Sequence, residues 1–261
     1  MQELITYAGQ LDCYERCNEV IKQFLDVEIG HTQAHRVTEA YGEELGKHQV
    51  AERTMPAVKQ EEILYVEADG SMLLTREQGW KEVKLGRLFK SGDCIKNDKM
   101  PGFIRHSQYL AHLGDAPTFT IQMDELIESY GRLGKRLVFI TDGAVWIRNW
   151  IEDSFPQAES ILDYYHGSEH LHVFAQNFFT DEKVKNKWVN RQLSLLLDSK
   201  VDRVMNNIRL LAPNRKEAQQ LIEYYQSKRQ EWITSGIAKS VVALLARALS
   251  NRHTVRWCKK E

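Results

Sequence analysis

Two aspartates, Asp69 and Asp142, each stand directly before a glycine and directly after an apolar run: EILYVEADG and LVFITDG. Leu137-Val138-Phe139-Ile140 has no polar alternation, the pattern of a strand buried on both faces. Ile63 to Glu67 reads as a second strand, ending on Asp69-Gly70. Neighbouring strands of one sheet would bring the two carboxylates together. Two carboxylates held that close repel, and a divalent cation is the usual remedy. Magnesium, or manganese, fits hard oxygen donors and can activate water on a phosphodiester while stabilising the leaving oxygen. The plainer alternative for the second aspartate is a helix cap: Thr141 or Asp142 would start a helix through Trp146, Ile147 and Trp150.

The elements that would position these acids follow from periodicity. Residues 14 to 25 carry Val20, Ile21, Phe24 and Leu25 at helical spacing, and after DVEIG a second helix is expected from His31 through Val37 to Leu45. Two helices joined by a glycine-containing turn make a helix-turn-helix candidate over 1–46, with Gln33, His35 and Arg36 near the start of the second helix, able to reach bases or phosphates. A plain helical hairpin explains the same pattern. GKHQVAERTMPAVKQ, with its proline, reads as a linker over 47–60. GWKEVKLGRLFK alternates like a half-exposed hairpin strand. IRHSQYLAHLGD and TFTIQMDELIESYGRLG read as helical, 143–155 as a helix, and ESILDYYH as a strand. From 168 onward the pattern is helical, broken at Pro213, with apolar stripes such as Leu193-Leu196-Leu197-Val201 and Val204-Ile208-Leu211. The order is two small helices, a mixed α/β core, then a long helical portion.

Composition narrows the function classes. At 261 residues and 43% hydrophobic, the chain can bury a sizeable core, and it holds no apolar run long enough to span a bilayer. The start MQELITYAGQLDCYERC lacks a signal-peptide pattern, so a cytoplasmic location is expected. Cys13, Cys17, Cys94 and Cys258 form no CxxC pair and read as free thiols. His166, His170 and His172 have no cysteine partner that would complete a zinc site. Lys183, Lys185, Lys187 and Arg191 suit either DNA phosphates or a solvated helix face.

Two blocks, YVEADGSMLLTREQGWKEVKLGRLF and ITDGAVWIRNWIEDSFPQAESILDYYHGSEHL, resemble the DDE transposases of bacterial insertion sequences, in their Mutator-like branch. The resemblance runs in order over residues 1 to 237. It implies an RNase H-like mixed sheet over 61–167, interrupted by a large helical insertion over 168–236, and a metal-dependent enzyme that cuts and joins DNA at transposon ends. It matches Asp69 and Asp142 to the first two catalytic aspartates, and Asp163 with His166 to a DxxH signature. It also implies terminal inverted repeats as the DNA partner, a homo-oligomer on that DNA, a bacterial cytoplasm, and a further DNA-binding part upstream of Met1.

The resemblance fails at the C-terminus. The family's catalytic glutamate sits in a GSxxVE-like motif followed by a VVQKR-like segment, whereas Trp232 to Lys260 contains no acid. Glu217, Glu223 and Glu231 are the available substitutes. Without a third acid, weak or absent catalysis is expected, leaving a DNA-binding remnant or a nuclease with a substitute ligand as alternatives. A changed reading frame would account for the aberrant 237–261 segment. Arg256 to Glu261 can be encoded AGG TGG TGC AAA AAA GAA, which reads Val-Val-Gln-Lys-Arg from its third base. In the same shifted frame, Leu244 to Asn251 permits Ile-Gly-Ser-Ser-Ala-Val-Glu. Unshifted, Val241, Val242, Leu245 and Leu249 would line one face of a terminal helix. The gene's nucleotide sequence is expected to carry the third bases that the shifted frame requires; any others there would rule the shift out.

Overall fold

The computed structural model describes residues 1–11, 13–48, 59, 62–75, 78–95, 103–130 and 136–232. Most of the expected 47–60 linker, the whole 237–261 segment and Cys258 lie outside the described residues. The chain divides into two compact units, 1–54 and 55–261.

The first unit contains three helices, α1 (Gln2–Leu11), α2 (Tyr14–Leu25) and α3 (His31–His48). The sequence reading anticipated α2 and α3 but not α1. Ile5 and Ala8 of α1 pack with Cys17, Ile21, Ile29 and Ala34 in one small core. Asp26 ends α2 in the left-handed region (φ 53°), its N–H donating to the Lys22 carbonyl at 2.9 Å. The Asn18 side chain accepts the Ile29 N–H at 2.9 Å, which holds the inter-helix turn against α2. Cys13 is exposed and Cys17 buried, both as free thiols.

The second unit opens with a long hairpin, β1 (Ile63–Thr75) and β2 (Gly79–Lys90), followed by the short strands β3 (Cys94–Ile95) and β4 (Phe103–Ile104), which pair with each other. Then come β5 (Gln108–Leu113), α4 (Ala116–Ser129), β6 (Arg136–Thr141), α5 (Val145–Ser154) and β7 (Glu159–Leu162). The main sheet has the order β5-β2-β1-β6-β7. β1 pairs antiparallel with β2 and β2 with β5, whereas β6 is parallel to β1 and β7 parallel to β6. This is a mixed α/β fold. Two expectations are corrected. Residues 108–113 are a strand rather than a helix, with only Leu110 of the six buried. ESILDYYH is split, its strand stopping at Leu162 and a helix starting at Tyr164.

Both sheet faces are apolar, which explains the uninterrupted run in β6. Leu137 and Phe139 face a core with Leu64, Val66 and Leu88, covered by Phe119, Met123 and Ile127 of α4 and Ile147, Trp150 and Ile151 of α5. Val138 and Ile140 face the opposite way, with Ile63, Tyr65, Phe89 and Ile161. The fully buried Phe139 ring lies 5.4 Å from Trp150 and 5.2 Å from Phe155, and its burial contributes about 1.5–3 kcal/mol. Gly86 of β2 lets α4 approach closely, since a Cβ there would lie 2.2 Å from the Met123 sulfur.

Beyond the sheet follow α6 (Tyr164–Gln176), α7 (Glu182–Leu197), α8 (Val201–Leu211), α9 (Lys216–Ser227) and the single turn α10 (Arg229–Trp232). Leu196, Val201, Val204 and Ile208 are buried in their shared core, as the apolar stripes predict, with Leu193 and Leu211 at its margin. Pro213 falls in the turn between α8 and α9. Among the described residues, no helix is long and apolar enough to cross a membrane.

Candidate functional site

Strand register sets the positions of the acids. The last parallel rung between β1 and β6 pairs Ala68 with Thr141, and the last between β6 and β7 pairs Thr141 with Leu162. Asp69, Asp142 and Asp163 therefore each stand one residue beyond the same level on three adjacent strands. The Asp163 N–H donates to the Thr141 carbonyl at 2.7 Å, which carries the alignment one step past the strand end. Asp69 does not end its strand, contrary to the sequence reading: β1 continues to Thr75, with Asp69 opposite Leu85 of β2. Only the pairing on its β6 side stops at Ala68.

Each of the first two aspartates commits one oxygen to the backbone. Asp69 Oδ1 accepts the Gly70 N–H at 2.7 Å, and Asp142 Oδ1 accepts the Ala144 N–H at 2.8 Å. Neither Oδ2 accepts a hydrogen bond among the described residues. Thr141 Oγ1 accepts the Gly143 N–H at 3.2 Å, and Gly143 takes a left-handed conformation (φ 74°) that favours glycine. The N-cap of α5 is Ala144, with no side-chain cap, so neither Thr141 nor Asp142 is the helix cap considered above. Asp142 instead closes a tight turn that presents its free oxygen.

Electrostatics registers the crowding. The Asp69 carboxylate is open to solvent on one side, yet the surrounding protein strips part of its hydration and raises its pKa. The Gly70 N–H opposes that rise, Asp142 adds to it by repulsion, His166 opposes it, and Glu82 adds a smaller repulsion. Two residues deeper on β1, burial raises the Glu67 carboxyl even though Arg87 pairs with it at 3.2 Å, and Asp163 pushes it further. The Arg87 guanidinium also lies 5.0 Å from the Phe89 ring centre, and its Nε donates to Ser107 Oγ at 3.0 Å.

His166 lies in the first turn of α6, not at a strand end, with its ring edge-on to His170 at 5.2 Å. His170 in turn packs on Tyr224 at 4.3 Å, while His172 is exposed. Among the described residues, no three His, Cys, Asp or Glu side chains are grouped to hold a metal ion. Glu217 and Glu223 stand exposed on α9 and join no such group among the described residues. Asp69 and Asp142 still suit a divalent cation as a pair: both are hard oxygen donors, adjacent, each with one uncommitted oxygen.

Sequence reasoning missed the contacts that hold this turn from the helical portion. The Lys228 ammonium, just past α9, donates to the Gly143 carbonyl. The buried Tyr225 hydroxyl donates to the Gly167 carbonyl at 2.7 Å, and a Cβ on Gly167 would lie 2.3 Å from the Trp232 ring. No sequence signal marks such distant pairs. A cavity of about 730 Å³ lies elsewhere in the unit, lined by Arg148, Glu152, Phe155, Pro156, Ser160 and Arg229, and includes neither aspartate.

In the first unit, Gln33 and Arg36 are exposed on α3. His35 is half-buried, edge-on to Tyr14 at 5.0 Å and 3.1 Å from Glu39. No known protein-family model matches the chain.

Because the folded Asp69 carboxyl keeps its proton to higher pH than in the unfolded chain, stability falls as pH rises through that window. Asp69→Asn is therefore expected to raise the denaturant midpoint at pH 7 in metal-free buffer. The gain should vanish near pH 3, where the wild-type carboxyl is protonated in both states. A variant less stable than wild type at pH 7 would contradict the electrostatic account.

Proposed function

We infer that this chain is a DDE-type transposase of a bacterial insertion sequence, built on an RNase H-like core with a helical insertion, acting on DNA at transposon ends. The observation that carries this reading is the level placement of Asp69 and Asp142 on neighbouring parallel strands, each with a free carboxylate oxygen. The sheet order, with an antiparallel β1-β2-β5 meander followed by parallel β6 and β7, supports the RNase H-like assignment. So do the two sequence blocks that resemble the family, whose aspartates are these two. The open position of Asp69 suits a polymeric substrate laid across the sheet edge.

In this reading Asp69 and Asp142 would hold a magnesium or manganese ion, which would supply Lewis acidity for attack of water or a 3'-hydroxyl on a phosphodiester. The backbone N–H groups of Gly70 and Ala144 orient the carboxylates, and Lys228 braces the turn that carries Asp142. His166 offsets part of the negative charge at Asp69. Asp163 lies level with both and, with His166, forms the DxxH signature. Gln33, His35 and Arg36 on α3 would contact the terminal inverted repeats, with a homo-oligomer assembled on them in the bacterial cytoplasm.

Two acids hold such an ion less firmly than three, so cleavage by this chain is weak. The grouping of fewer than three ligand side chains among the described residues favours a second reading, a transposase remnant that binds DNA without cutting it. The test is nicking of duplex DNA carrying the element's ends, in magnesium and then in manganese. The transposase reading predicts weak cleavage that falls at least about 100-fold in Asp142→Asn. Specific binding without cleavage would select the remnant. Neither binding nor cleavage would overturn both.

A further inference from the structure

Helix α7 carries four cations within nine residues, and the fold separates one from the other three. Lys185 turns inward, its side chain only 12% exposed and its ammonium 2.6 Å from Glu182. Lys183, Lys187 and Arg191 recur every fourth residue and are all exposed. None of these three makes an ion pair or side-chain hydrogen bond among the described residues. The exposed Asn186 and Asn190 stand between them, adding neutral amide donors to the same face.

The acids near the helix ends are already committed. Asp181 caps α7 by accepting the N–H groups of Lys183 and Val184, Glu182 holds Lys185, and Asp198 holds Lys200 at 2.6 Å. The stripe's charge is thus not neutralised locally. It is also rigid, because the opposite face of α7 buries Val189, Gln192 and Leu196, and the Gln192 side chain accepts from Asn207 of α8 at 2.8 Å.

Three cations over nine residues span about 12 Å of helix. Their spacing of about 6 Å lets the three cations follow neighbouring phosphates along one strand of a duplex. An anionic membrane is a poorer match, since interfacial helices need an apolar face for the bilayer and that of α7 is spent on the core. We propose that the Lys183–Lys187–Arg191 face of α7 is a duplex-DNA backbone-binding surface that contacts phosphates without reading bases. This rests on the DNA-processing function above and adds a contact outside the acidic site and the N-terminal unit.

The test is fluorescence anisotropy of the full chain on labelled duplexes in EDTA, titrated between 50 and 200 mM salt, conditions spanning the range in which phosphate contacts are strongly screened. In the triple variant Lys183→Gln, Lys187→Gln, Arg191→Gln, the slope of log K against log[salt] should shrink by about 2 to 3, with equal affinity losses on element-end and unrelated duplexes. A charge-matched control, Arg203→Gln, Arg209→Gln, Lys216→Gln on α8 and α9, should leave the slope near the wild-type value. An equal loss in the control would overturn the proposal, since net charge alone would then explain it. An unchanged slope in the triple variant, with wild type binding DNA, would overturn the stripe and spare the DNA reading. Tighter binding to RNA than to DNA of equal length would overturn the assignment to duplex DNA. Failure of the wild type to bind any duplex would overturn the DNA reading and the stripe with it.

Discussion

The parallel pairing of β1 with β6 is the constraint from which the site follows. Hydrogen bonding in that register leaves no freedom in where the chain beyond the last rung emerges, and it brings Asp69 level with Asp142. His166 offsets the resulting repulsion only in part, and Lys228 reaches the Gly143 carbonyl rather than a carboxylate. The fold thus holds two acids together at a cost in hydration and repulsion, as the raised Asp69 carboxyl records. Such strain is typical of functional positions rather than of packing positions.

Much of the surrounding structure serves to keep that pairing rigid. The two helices α4 and α5 cover one sheet face with aromatic rings, and α5 begins immediately after the Asp142 turn, so its packing through Ile147 and Trp150 fixes the turn's exit. The helical portion holds the same region from another side. Lys228 ties to Gly143, and Tyr225 with Trp232 closes around Gly167 beside the DxxH segment. These bonds link the last helices to the backbone that carries Asp142 and His166.

What was legible in the sequence was local. Leu137 to Ile140 announced a strand buried on both faces, because that pattern depends on neighbours in sequence. The stripes of α7 and α8 were readable for the same reason. β5 was not, because an edge strand with one buried residue carries too little alternation to outweigh an apparent helical period. The length of β1 was hidden because its second half is a hairpin with exposed Met72 and Leu74 rather than a buried run. The alignment of Asp69 with Asp142 on neighbouring strands was legible. Its bracing was not, since Lys228 and Gly143 are 85 residues apart and a lysine after a helix has no distinguishing mark.

The central claim is that Asp69 and Asp142 together bind a divalent cation. It is tested most directly by titrating manganese into the full chain and following free ion by electron paramagnetic resonance, with Asp69→Asn/Asp142→Asn as comparison. The account predicts saturable manganese binding by the wild type that is lost in the double variant while the circular dichroism of the two proteins stays the same. Equal manganese binding by both proteins, or none by the wild type at millimolar ion, would contradict it.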